Sequence, residues 1–186
     1  FDGTREQGYG GYIYDGRWQK VACTAKDHYC LASGMSVLDI GCAKGFFVGD
    51  LMQEIPGLNA FGIDVSSYAL AKAKAKEDIH GHLYLSSADK LPFPDNSFDA
   101  VFAINTLHNL DRDGCIKALK EINRVAKFPE KTFVQVDAYH SVKDRELFED
   151  WMLTAKTYCT PDEWLALFEE AGYTGDFFWT TFDFTT

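Results

Sequence analysis

The stretch Val37-Leu38-Asp39-Ile40-Gly41-Cys42-Ala43-Lys44-Gly45 decides the fold, because an apolar run carrying one acid gives way to a turn of small residues. Ser36 to Ile40 reads as a strand buried on both faces, continuous in Val, Leu and Ile apart from Asp39, which places that acid at the strand's end. Gly41, Ala43 and Gly45 then let the backbone bend where larger side chains would obstruct, and present its N–H groups to a ligand. Beyond the turn, Phe47, Val48, Leu51, Met52 and Ile55 recur at helical spacing until Pro56-Gly57 ends the pattern. Strand, small-residue loop and helix together form a grip for a nucleotide cofactor; the plainer reading is an ordinary tight β-to-α connection.

The next segment repeats the logic. Leu58 to Ile63 is apolar and ends in Asp64, followed by Val65-Ser66-Ser67 and a helix-like stretch from Tyr68 to Asp78. A carboxylate at the tip of a second strand, about 20 residues beyond a glycine turn, can accept hydrogen bonds from both hydroxyls of a ribose.

With an acid two residues before the first glycine of the turn, Asp39 before Gly41, the chain resembles the class I S-adenosylmethionine-dependent methyltransferases. The nicotinamide-binding fingerprint starts its glycines directly after the strand and requires no such acid. The resemblance runs from about Met35 to about Tyr173. It includes Ser87-Ala88-Asp89, then Leu91-Pro92-Phe93-Pro94-Asp95-Asn96-Ser97-Phe98-Asp99, similar to the family's turn into its fourth strand. It also takes in Thr160-Pro161-Asp162-Glu163-Trp164 through Ala171-Gly172-Tyr173, similar to its late helix. One departure is Ala43, where the family usually has glycine; a strongly positive φ there costs alanine roughly 1 kcal/mol.

At 186 residues and 46% hydrophobic content the chain fits one domain over 1–186. Within it the expectation is an N-terminal arm or lid over 1–34, a cofactor-binding core over 35–138 and an inserted helix over 139–159. No apolar run approaches the ~20 residues of a membrane span. The first residue is Phe1 rather than methionine and no charged-then-apolar leader follows, which points to a missing start rather than to secretory processing. Cys23, Cys30, Cys42, Cys115 and Cys159 are odd in number with no C-x-x-C pair, which argues against a disulfide framework and a zinc site and for a reduced, cytoplasmic setting. Cys42 reads as a small side chain that fits the turn. A net charge of −10 disfavours nucleic acid as partner, and Lys72, Lys74 and Lys76 spread over different helix faces as a solvated surface.

Further strands are expected at His82 to Ser86, Ala100 to Asn105 and Thr132 to Val136, the last followed by Asp137. Ile116, Leu119, Ile122 and Val125 mark one helix face between the last two strands. Alternating strands and helices imply an α/β fold with a doubly wound, mostly parallel sheet, a Rossmann-like methyltransferase fold. Its ligand edge would gather Asp39, Asp64, Asp89, Asn105 and Asp137. Thr174 to Thr186 leaves room for one strand through Phe177, Phe178, Trp179 and Phe182, where the family closes with two, the last antiparallel.

The resemblance implies S-adenosyl-L-methionine as cofactor. Asp39, with the backbone of Gly41, Cys42, Ala43 and Gly45, would hold its methionine end. Asp64 would bind the ribose, Val65 would pack on adenine, and Ala88 and Asp89 would meet the adenine edge. Asn105-Thr106-Leu107-His108 falls where the family places residues facing the methyl group, so Asn105 would touch cofactor and acceptor alike. His108 could serve as general base because imidazole titrates near neutrality, or could be a hydrogen-bonded loop histidine. Asp137, Tyr139 and His140 could line the same pocket; a metal held by Asn105, Asp137 and His140 is disfavoured because magnesium wants more carboxylates. Gly8 to Trp18, aromatic and glycine-rich, suits either a lid or an arm packed on the sheet. The function expected is transfer of a methyl group to an oxygen or nitrogen of a small-molecule acceptor, such as a saccharide or natural-product precursor. The alternatives are a non-catalytic cofactor-binding sensor or scaffold, and a nicotinamide-dependent oxidoreductase.

Overall fold

The computed structural model describes residues 2, 12–73 and 82–181. Its sheet has six strands, β1 (Ser36–Ile40), β2 (Asn59–Asp64), β3 (Leu83–Leu85), β4 (Ala100–Ile104), β5 (Thr132–Asp137) and β6 (Asp176–Thr180). They lie in the order β3-β2-β1-β4-β5-β6. Every neighbouring pair is parallel. The order reverses between β1 and β4, which marks the switch point at the carboxyl edge beside which ligands of such sheets bind.

Helices α1 (Arg17–Tyr29), α2 (Phe46–Glu54) and α3 (Ser67–Ala73) cover one face, and α4 (Arg112–Val125) and α6 (Pro161–Ala171) the other. Strand alternation divides the core accordingly. Val37, Ala100 and Phe102 pack with Phe47, Leu51 and Tyr29, whereas Leu38, Ile40 and Val101 pack with Leu119, Ile122 and Trp164. The face of α4 expected from Ile116, Leu119, Ile122 and Val125 is buried as read, and Asp111 caps that helix by accepting the Gly114 N–H at 2.8 Å. Thr160 and Glu163 form a reciprocal capping box on α6, Pro161 opens it, and Gly172 closes it in the left-handed conformation. Inside the span read as an inserted helix lies α5 (Val142–Trp151), whose only buried side chain is Phe148.

Three features differ from the sequence reading or fall outside it. Helix α1 was not foreseen, because the glycine and aromatic residues before it dominate the stretch; its signal is Trp18, Ala22, Ala25 and Tyr29, spaced to face the core. It is tied down by Tyr29 and His28, which both meet Asp176 Oδ2 at 2.8 Å, and by Lys26 to Glu54 at 2.8 Å. The closing strand β6 runs parallel to β5, with Asp137 opposite Thr180. Gly8 to Gly11, the part of the expected helix that lies beyond Ala73 and includes Lys74 and Lys76, and Phe182 fall outside the described residues. Among the described residues no helix is long and apolar enough to cross a membrane.

Candidate active site

Asp39 sits one residue from the end of β1, flanked by Gly62 of β2 and Phe102 of β4. It is 5% exposed. Burial and then the neighbouring Asp64 push its carboxyl up to about 8. No hydrogen bond or ion pair reaches that carboxyl among the described residues. A buried acid so placed is short of a cation.

The loop after it is held closed by its own backbone. The N–H groups of Gly41 and Cys42 both donate to Ile63 O, at 2.8 and 2.9 Å, and Gly45 N–H donates to Cys42 O at 2.7 Å. Gly41 has φ +80°, and a Cβ there would fall 2.0 Å from Thr106 Oγ1, so the β1 and β4 loops touch only because this residue has no side chain. Ala43 takes the left-handed φ of 48° that its side chain disfavours. The reason is a partner: Ala43 N–H donates to Asp64 Oδ2 at 2.8 Å. The other oxygen of Asp64 accepts Ser66 N–H at 2.7 Å. Asp64 therefore fixes the glycine turn and its own strand tip, with lone pairs left over for hydroxyl donors. Cys42 Sγ fills the space over Gly62, a packing role.

Val65, 71% exposed, stands at the mouth beside Asp64. Ala88 is buried, and Ser87 Oγ donates to the Asp89 carboxylate. On the other side of the turn the N-terminal arm closes in. Tyr12 stacks on Phe46 with ring centroids 5.0 Å apart, and Lys44 Nζ donates to Tyr12 O and pairs with Asp2, each at 2.8 Å.

Across the switch point the edge formed by the β4 loop and β5 is crowded with side chains. Asn105 is left-handed at φ 53°, and its N–H donates to Gln135 O at 2.9 Å. His108 is 1% exposed, and its carbonyl accepts the N–H groups of Lys156 and Thr157. Burial holds its imidazole down to about 4, so it is neutral at physiological pH. Its Nδ1 accepts Asp137 N–H at 3.4 Å and lies 3.6 Å from Asp137 Oδ2. Burial raises the Asp137 carboxyl to about 6. Both groups border a cavity of about 10 Å³, room for one water, lined also by Tyr139, Phe148, Met152 and Thr157. His140 is exposed, and its backbone N–H donates to Asp144 Oδ2 at 3.3 Å in the cap of α5.

The structure thus brings Asp64, Asp39, Asn105 and Asp137 into one row along the sheet edge, with His108 behind Asp137 and His140 apart from it. The model of the family described as a methyltransferase domain matches residues 38–130, half of the chain and the part that carries the glycine turn, both acids and the Asn105 loop. The chain belongs to the methyltransferase domain family.

The sterol 24-C-methyltransferase ERG6B of Gibberella zeae is 34% identical over 57% of this chain and 30% of its own length. Malonyl-(acyl-carrier protein) O-methyltransferase of Legionella pneumophila is 36% identical over 48% of this chain and 31% of its own. The solved structure of the (4+2) cyclase SpnF is 26% identical, covering 91% of this chain and 63% of that one at a TM-score of 0.66. The chain therefore spans about a third of the curated methyltransferases it matches.

Two residues of this methyltransferase-domain site escaped the sequence reading of roles. Thr106 bonds Ile40 O at 3.0 Å and packs on Gly41, and its proximity to Asn105 was the available signal. Thr180 reaches the site from β6, far along the chain, and nothing local announces it.

Proposed function

We propose that this chain transfers a methyl group from S-adenosylmethionine to an oxygen or nitrogen of a small-molecule acceptor, such as a saccharide or natural-product precursor. The observation that carries the reading is Asp39, a buried carboxyl beside a glycine turn with no counter-charge among the described residues. An ammonium group meets that need, so the residues present fit the cofactor. Asp39 would hold the ammonium, and the backbone of Gly41, Cys42, Ala43 and Gly45 the rest of the methionine end. Asp64 would accept from the ribose, Val65 would lie on the adenine face, and Ala88 and Asp89 would meet its edge. When bound, the sulfonium supplies an already activated methyl group, so alignment and proton removal are what the protein adds. Asn105 would orient the acceptor and Asp137 would take its proton. His108, enclosed and neutral, would brace Asp137 from behind. Tyr12 and Tyr14 would close the arm side of the crevice as a lid. Five free thiols, two of them exposed, suit a reducing compartment such as the cytoplasm.

A second reading has an observation of its own. The cavity beside Asp137, about 10 Å³, has room for no more than a single water, and an acceptor side so closed suits a cofactor-binding sensor or scaffold. The family match sets the nicotinamide alternative aside. Calorimetric titration with S-adenosylhomocysteine tests the common part, and its failure would remove both readings. Release of S-adenosylhomocysteine from S-adenosylmethionine with hydroxyl- and amine-bearing acceptors then separates enzyme from sensor.

A further inference from the structure

We infer that Glu121 and Arg124, at the C-terminal end of α4, are positioning residues for the loop after β3: they fix Ala88 and Asp89 at the adenine edge and so set the preference for adenine over a 6-oxo purine. This rests on the methyl-transfer reading above. From Ser86 to Ser97 the chain forms neither helix nor strand, so its main-chain groups need partners from elsewhere. Side chains of α4 supply them. Glu121 Oε2 accepts the Leu91 N–H at 2.7 Å and Arg124 Nη2 donates to Leu91 O at 3.2 Å, so both main-chain groups of Leu91 are held by two residues one helical turn apart. Arg124 Nη1 donates to Phe93 O and to Asp95 Oδ1, each at 2.8 Å. Farther on, the N–H groups of Asn96, Ser97 and Phe98 donate to the carbonyls of Arg124 and Val125, which the helix end leaves open.

The guanidinium is fully engaged. Nε and Nη2 grip the two oxygens of Glu121 at 2.6 and 2.8 Å, and the remaining N–H groups go to Leu91, Phe93 and Asp95, which accounts for all five donors. A lysine ammonium, with three donors and no planar fork, does not span that set. Arg124 also holds the Glu121 carboxyl below its ordinary value, so the pair stays charged at neutral pH. Between the clamp and Asp89 the turn is closed, with Ser86 Oγ donating to Lys90 O at 3.1 Å and Lys90 N–H to Ser87 O at 3.3 Å. Ala88 and Leu91 are buried in one cluster with Leu119 and Ile122 of α4, so the turn follows the clamp as a unit. The Asp89 carboxylate, which accepts the Ser87 hydroxyl, offers only acceptors. Such a group at the 6 position of a purine takes an amine and repels a carbonyl oxygen. A displaced loop loses that distinction while Asp39 and Asp64, on other strands, keep theirs.

Calorimetric titration of the full chain with S-adenosylhomocysteine and with its 6-oxo analogue, S-inosylhomocysteine, reads the loop as a ratio of two affinities. The wild type should prefer the adenine ligand by at least about tenfold. R124K and E121A should each bring that preference to within about threefold, chiefly by weakening S-adenosylhomocysteine. If one variant does not fold, the other decides. General loss of stability lowers both affinities alike, so a reduced Tm with an unchanged ratio marks the pair as structural only and overturns the inference, as does a wild type that binds the two ligands equally. A wild type that binds neither ligand defeats the methyl-transfer reading itself, whereas a preference that both variants retain defeats this inference alone.

Discussion

At Asp39 the fold surrounds an acid with apolar neighbours and a second carboxyl, and the sign of its pH dependence follows. An aspartate of ordinary value 3.8 is raised to about 8, so between those values the folded chain binds a proton that the unfolded chain releases. Stability of the ligand-free chain from this group is therefore full below about 4 and declines as pH rises toward 8. An ammonium ligand favours the carboxylate, so affinity for S-adenosylhomocysteine should rise with pH up to about 8. Binding at pH 7 should release a proton, seen as a dependence of the calorimetric heat on the ionisation heat of the buffer. D39N should abolish that release. D64A removes a carboxylate that holds Ala43 and Ser66 as well as the expected ribose contacts, and should weaken S-adenosylhomocysteine roughly 100-fold or more in the same calorimeter while circular dichroism stays native. Both acids were legible because each ends an apolar run at a fixed distance from a glycine turn. Thr180 was not, since a hydroxyl near the far end of the chain acquires meaning only when β6 lies beside β5.

Among the elements, the junction of β1, its loop and α2 is the least tolerant of change. Gly41 combines a left-handed φ of +80° with a missing Cβ that would collide with Thr106. G41A should cost about 2 kcal/mol or more, a fall in Tm of at least 4 °C by scanning calorimetry. G41A paired with T106A should recover only part of the collision, since the Cβ of residue 106 still lies 2.8 Å from the new methyl, and none of the part due to φ. Helices α4 and α6 were readable because apolar spacing and capping residues agree there, Thr160 with Glu163 above all. Helix α1 was missed because its apolar residues are small or half-polar, Ala22, Ala25 and Tyr29, and gain significance only by fitting against Phe47 and Phe102. Ala43 shows the opposite limit: local preference argued against its angle, and a bond from Asp64, distant in sequence, decided it.

For the whole molecule, strand order sets a gradient of local stability. β1 and β4 are flanked on both sides and buried on both faces, whereas α5 contributes one buried side chain. Amide hydrogen exchange should be slowest at Leu38, Ile40, Val101 and Ala103 and fastest in α5, with protection of the glycine turn rising on addition of S-adenosylhomocysteine. The doubly wound class was legible because the alternation of strands and helices admits few topologies, while the direction of the last strand depended on pairing that no single segment specifies. Parallel pairing throughout has a kinetic corollary. Among the described residues the sheet contains no hairpin, so no two of its neighbouring strands can meet without first closing a long loop of chain, and the central pair is separated by two complete α-β units. Refolding of such a chain starts without a local nucleus and belongs to the slow, high-contact-order end of the scale, where partly assembled sheets expose their edges longest.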